Sequence, residues 1–194
     1  MIIGITGGTG CGKTTALKAI EALGGLVLDC DAIYHNLLQT DRSLLCAIES
    51  RFPGTVVNGV LDRKALGTIV FADKAALQDL NDITHNAVKA EVLRQLPQDN
   101  SLVAIDAIGL FESGLSELCK LTVAITAPQE DRVARLIARD SIPREYALAR
   151  ISAQPTNQVF SALCDHTLEN NGSPEDFYQK CLGFFRKWAI IEEN

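Results

Sequence analysis

Apolar residues along the chain fall into two alternating patterns. Short continuous runs, "MIIGIT" (1–6), "GLVLD" (25–29), "SLVAID" (101–106) and "LTVAIT" (121–126), are bounded by Gly, Asp or Asn and read as buried strands, with "DHTLEN" (165–170) a weaker fifth. Longer stretches between them repeat apolar residues at helical spacing. Unbroken apolarity within a run means that both faces of the strand are covered. Strands separated by helices therefore predict an α/β fold, a parallel sheet of about five strands with helices on both faces. From Asp31 to about Gln98 helical patterns dominate, such as "SLLCAIESRF" and "KAALQDLNDITHNAVKAEVLRQL", joined by the turn-rich "PGTVVNGVLD". A helical insertion over about 32–98 is expected within a core made of 1–31 and 100–194. Near the end of the chain, Phe177, Cys181, Phe184, Phe185 and Trp188 recur at spacings that a helix brings to one side, and this stripe is expected in the core.

Composition narrows the classes without choosing among them. With 194 residues, 47% hydrophobic and 22% charged, the chain has the make-up of one soluble globular domain. A net charge of -6 argues against nonspecific nucleic-acid binding and leaves room only for a local basic site. Six dispersed cysteines with no C-x-x-C pair suggest neither a zinc site nor a disulfide framework, but reduced thiols. No apolar run reaches the 18 residues that a membrane span needs and no leader pattern is visible, so a cytoplasmic location without membrane or nucleic-acid partners is expected. The oligomeric state is not legible.

Chemistry enters at "GITGGTGCGKTT" (4–15), where Gly7, Gly12, Lys13 and Thr14 satisfy G-x-x-x-x-G-K-[ST] directly after the first strand and directly before a helical run. Glycines there let backbone N–H groups converge on phosphate oxygens. The helix N-terminus adds partial positive charge, and Lys13 supplies a point charge to the β and γ phosphates. Gly8, Thr9, Gly10, Cys11, Gly12, Lys13, Thr14 and Thr15 are thus the residues expected to bind a nucleoside triphosphate, with Thr14 holding Mg²⁺ through its hydroxyl. Gly4 is expected only as a strand residue with a close neighbour. A thiol at Cys11, beside Lys13 and a helix start, is expected to have a lowered pKa.

A bound triphosphate is compatible with a GTPase-like switch, an ATP-driven machine or a small-molecule kinase. "DAIG" (106–109) satisfies a D-x-x-G pattern, but no N-K-x-D guanine reader follows. Asp106 ends an apolar strand, where it either holds Mg²⁺ through water or caps the strand end. Asp29 and Asp31 end the second strand, where ligands gather in open α/β sheets; Asp31 is the catalytic candidate and Asp29 the helix cap. Arg132, Arg135, Arg139, Arg144 and Arg150 crowd two helical stretches parted by Pro143, a lid-like segment over about 139–157 that can neutralise a migrating phosphoryl group. Two or three of the five are expected to pair with Glu130, Asp131, Asp140 or Glu145, and Arg139 is the favoured phosphate contact.

Taken in order, the "GITGGTGCGKTT" loop, "DCD" (29–31), "LDRKALGTIVF" (61–71), "THNAV" (84–88), "LFESGL" (110–115), "RLIARD" (135–140), "RISAQ" (150–154) and "ENNG" (169–172) make a chain that resembles the dephospho-CoA kinases from Ile2 to about Gly172. The resemblance implies a P-loop kinase fold with an acceptor-binding helical part and a lid, and transfer of the ATP γ-phosphate to the ribose 3′-hydroxyl of dephospho-CoA. It further implies that Asp31 orients and deprotonates that hydroxyl, that Arg139 lies near the phosphates, and that Arg63, His85, Phe111 and Glu112 line the acceptor side. Ile108, Gly109, Asn86 and Phe160 depart from the residues usual in the family, proline, leucine, proline and a basic residue respectively. A related nucleoside or nucleotide kinase, or a nucleotide-binding protein without transfer, is the alternative.

Overall fold

The computed structural model describes residues 1–99 and 101–190; Asn100 and 191–194, part of the expected core segment, lie outside the described residues. The chain divides into two compact units, one of residues 1–28 with 97 onward and the other Asp29–Leu96.

In the first unit, β1 (Ile2–Thr6) is the centre of a five-stranded sheet. It is followed by α1 (Lys13–Ala22) and β2 (Leu26–Asp29), whose last residue opens the second unit. The second unit begins with α2 (Cys30–Thr40) and α3 (Arg42–Arg51). A hairpin of β3 (Val56–Val57) and β4 (Val60–Leu61) comes next, then α4 (Arg63–Val70) and α5 (Lys74–Gln95). The chain returns to the first unit with β5 (Val103–Asp106), a short 3₁₀ turn at Leu115–Leu118, and β6 (Leu121–Thr126). Helices α6 (Gln129–Asp140), α7 (Arg144–Ser152) and α8 (Asn157–Leu163) precede β7 (His166–Glu169) and α9 (Pro174–Ile190).

The sheet order is β2-β5-β1-β6-β7, and β1 pairs in parallel with β5 (Ile5 opposite Asp106) and with β6, which pairs in parallel with β7. All five expected strands form. Ile3 and Ile5 point to one face, where they join Ala16, Leu17 and Ile20 of α1 and Phe177, Cys181 and Phe185 of α9 in the main core. Phe184 and Trp188 pack on its edge, so the C-terminal stripe is core as expected. On the opposite face Gly4 leaves no room for a side chain: a Cβ there would lie 2.7 Å from Leu110 and 2.9 Å from Cys119. Helices α6 and α7 share a separate small core of Val133, Leu136, Ala147 and Ile151. Phe160, where a basic residue is usual, is buried on α8, which packs against β6.

The second unit is helical, with α5 packed along α2, α3 and α4. Four aspartates start its helices. Asp29, Asp41, Asp62 and Asp73 each accept a hydrogen bond from a backbone N–H in the first turn of the helix that follows. The turn-rich segment is more ordered than expected, because Asn58 (φ 53°) and Gly59 (φ 76°) supply the two left-handed residues of a tight hairpin turn. Glu49 fixes its base by accepting from the N–H groups of Gly54 at 2.6 Å and Val56 at 2.7 Å.

Candidate active site

The glycine loop joins β1 to α1, and its backbone could be built from few other residues. Gly7, Gly10 and Gly12 have φ of 140°, 77° and 101°, values that side chains rarely allow. Space is as restrictive as conformation. A Cβ on Gly7 would run into the carbonyl oxygen of Ile125, on Gly8 into the Arg132 guanidinium, and on Gly12 into the Asn170 amide. Gly12 is the residue before α1, and no side chain caps that helix start, so its first N–H groups are left for a ligand. Thr14 is exposed at this end and Lys13 is half-buried, its Nζ donating to the Gly7 carbonyl at 3.1 Å.

The loop is braced from outside. Arg132 Nε donates to the Thr9 carbonyl at 2.9 Å, Arg135 Nη1 to the Gly10 carbonyl at 3.2 Å, and Asn170 Nδ2 to the Cys11 carbonyl at 2.9 Å. The Thr9 N–H donates to Gln154 Oε1 at 2.7 Å. Because a peptide group is planar and trans, a carbonyl held outward turns the next N–H inward. The three brackets therefore aim the N–H groups of Gly10, Cys11 and Gly12 to the inside of the loop, although the Cys11 N–H also lies 3.3 Å from the Gly8 carbonyl. Gln154 and Asn170 lie in "RISAQ" and "ENNG" but carry no signal of their own in the sequence, and little there separates Arg132 from its neighbours.

Cys11 requires a correction. It is fully buried, its Sγ 4.0 Å from Asn157 Oδ1, and burial pushes its thiol above the ordinary value. Arg132 and Lys13 pull the other way and are outweighed. The thiol expected to have a low pKa is instead a packing residue of the main core.

Among the arginines, Arg139 is not placed on the loop. Its side chain is 60% exposed and forks onto Asp140, Nε at 2.7 Å and Nη2 at 3.0 Å. Arg150 meets the same carboxylate at 2.6 Å, and Arg144 meets Glu130 at 2.8 Å. Together the two guanidinium groups, Arg139 first, pull the Asp140 carboxyl down to about 2. Asp106 is half-buried at the end of β5, beside β1 in the sheet. Phe111, half-buried, and Glu112, exposed, belong to the segment after β5.

The other candidates lie in the helical unit. Asp31 is exposed in the first turn of α2, while Asp29 caps that helix, accepting from Ala32 N at 3.0 Å, as expected. Arg63, first residue of α4, lies with Nη2 3.1 Å from His35 Nδ1 of α2, a contact not foreseen in the sequence. His85 is half-buried on α5. Among the described residues, no cluster of three or more His, Cys, Asp or Glu could hold a metal by itself, and no helix is long and apolar enough to cross a membrane.

A family profile described as dephospho-CoA kinase matches residues 1–176. A dephospho-CoA kinase of Carboxydothermus hydrogenoformans is 32% identical over 193 residues, 96% of this chain and 94% of that relative. One from Mycolicibacterium paratuberculosis is 36% identical over 92% of this chain but only 45% of its own length, so the chain spans about half of that relative. The solved structure of a Campylobacter jejuni dephospho-CoA kinase superposes with a TM-score of 0.71 at 29% identity, covering 98% of each chain. These likenesses take in both compact units and not the loop alone, and the chain belongs to the dephospho-CoA kinase family.

Proposed function

We propose that this kinase transfers the γ-phosphoryl group of ATP to the ribose 3′-hydroxyl of dephospho-CoA, giving ADP and CoA, the last step of coenzyme A synthesis. The observation that carries the reading is the loop. Inward-facing N–H groups, an uncapped helix start and Lys13 make a polyphosphate cradle in a chain whose family match runs from residue 1 to 176. Phosphoryl transfer passes through a loose transition state, so the protein's task is to align donor and acceptor and to stabilise charge.

Roles follow from chemistry. The loop from Gly8 to Thr15 binds the phosphates, and Lys13 exchanges the Gly7 carbonyl for a phosphate oxygen. Asp31, exposed and free of the capping duty that Asp29 performs, accepts the proton of the 3′-hydroxyl. Arg139 reaches the migrating group by leaving Asp140, with the α6–α7 segment as lid and the helical unit as the acceptor-binding part. Arg63, His85, Phe111 and Glu112 contact dephospho-CoA. The Thr14 hydroxyl and Asp106 carboxylate are the hard oxygen donors that suit Mg²⁺ and would hold it, where it neutralises phosphate charge. Six free thiols fit a cytoplasmic enzyme.

Purified protein with Mg-ATP should turn over dephospho-CoA in preference to AMP, adenosine and pantetheine derivatives. Preference for any of those three, or no phosphorylation of dephospho-CoA, would overturn the reading.

A further inference from the structure

Arg132 braces the loop through its Nε, but its buried charge and its Nη2 carry chemistry that the proposed reaction does not use. It is a charged residue only 3% exposed, on the buried side of α6 with Val133 and Leu136. Its Nε is satisfied by the Thr9 carbonyl at 2.9 Å, whereas its Nη2 is buried with no hydrogen-bond partner. That same nitrogen occupies the space where a Gly8 side chain would stand, with Gln154 Oε1 3.2 Å from that position. A guanidinium cannot shed its proton to escape burial, and an unmet buried N–H is costly, so a fold keeps such a group when something offsets it. Neither α6 nor the small core beside it needs a charge at this point. The position directly behind the phosphate-binding loop supplies the reason.

We propose that Arg132 is a positioning residue for the phosphoryl donor. Its guanidinium fixes the Thr9 carbonyl outward, so that the Gly10 N–H points at the phosphates, and its charge, pressed against Gly8 from behind, favours the polyanion over the empty loop. Arg135 and Asn170 do the same for the next two peptides, but Arg132 alone of the three combines full burial, charge and an unused N–H. Gly8 is glycine for this reason: the loop leaves its φ ordinary, and the guanidinium excludes a side chain.

This inference rests on the loop being the ATP site, as proposed above, and its test does not depend on the acceptor. The dissociation constant of a non-hydrolysable ATP analogue with Mg²⁺ is measured for wild type, Arg132→Met, which keeps the stem without the charge, and Arg132→Lys, which keeps the charge without the fork. KM values for ATP and for dephospho-CoA are measured alongside. Arg132→Met should weaken analogue binding and raise the KM for ATP by about tenfold or more, with the KM for dephospho-CoA within about twofold of wild type. Arg132→Lys, which keeps the charge but loses the fork, should recover only part of the loss and stay about threefold weaker than wild type. A purely structural role would instead lower the active fraction and leave both KM values alone. Analogue binding by folded Arg132→Met within about twofold of wild type overturns the proposal. If Arg132→Met does not fold, Arg132→Lys decides: weaker binding by about threefold or more supports the role, and unchanged binding removes it. Wild type that binds the analogue but ignores dephospho-CoA would strike the acceptor assignment and leave this test intact.

Discussion

Replacing Gly12 with alanine tests whether the loop's geometry is imposed by its surroundings or merely tolerated by them. Gly12 has φ 101° and ψ 25°, a left-handed conformation that costs an alanine about 1 kcal/mol. Its new Cβ would overlap the Asn170 amide nitrogen and stand 3.4 Å from that residue's Cγ, so Asn170 must move. Moving it sacrifices the bond to the Cys11 carbonyl at 2.9 Å and the one it accepts from Arg135 at 3.2 Å. At about 1 kcal/mol for the neutral bond and about 2 kcal/mol for the charged one, the total is about 4 kcal/mol. For a chain of this size that lowers Tm by roughly 10 °C. Gly24 is the internal control: φ is 81°, but nothing lies within 4 Å of its would-be Cβ, so Gly24→Ala should cost only the strain of about 1 kcal/mol, roughly 3 °C. Denaturant unfolding of both variants, and of Gly12→Ala combined with Asn170→Ala, separates the contributions. The double variant should lose far less than the sum, because Asn170→Ala already forfeits its bonds. Equal losses for Gly12→Ala and Gly24→Ala would refute the claim that Asn170 packs the loop.

If Asp31 acts on the acceptor as proposed, Asp31→Asn should lower kcat by roughly 100-fold or more with ATP affinity almost unchanged; steady-state kinetics with near-normal kcat would remove it from that role. Cys11, buried with a raised pKa, should resist iodoacetamide at neutral pH with or without Mg-ATP, while exposed Cys46 reacts; peptide mapping that finds Cys11 alkylated first would contradict the packing described. The Asp140 carboxyl is depressed to about 2 in the folded protein, below its unfolded value of 3.8, so its contribution to stability is present above about pH 4 and fades as pH falls toward 2. The stability gap between wild type and Asp140→Asn should accordingly close over that range in acid titrations followed by circular dichroism, and a gap independent of pH would detach Asp140 from its arginines.

Four of the five strands were legible because each is a continuous apolar run, and Ile3, Ile5, Val123 and Ile125 can be buried only by helices such as α1 and α9; β7 buries Leu168 alone and gave the weaker signal. The hairpin at Val56–Val57 and Val60–Leu61 was harder, since strands of two residues carry no periodicity; its one signal was Asn58-Gly59. In the site, the loop glycines declared themselves through spacing. Cys11 misled because neighbouring charge can be read along a chain while burial beneath the loop cannot, and burial dominates here. Its place at the entrance to the lid favoured Arg139 among the arginines of α6, whereas the phase of the helix against the loop brings Arg132 to brace it and leaves Arg139 facing outward. A lone arginine sharing a helix face with Leu136, four residues on, was the available clue.

The most direct test of the central claim is where the phosphate goes. Protein incubated with dephospho-CoA and γ-labelled Mg-ATP should release ADP in step with acceptor consumed and place the label solely on the ribose 3′ oxygen, as phosphorus NMR of the product can establish. Label at another position, or ADP formed without any phosphorylated acceptor, would contradict the account.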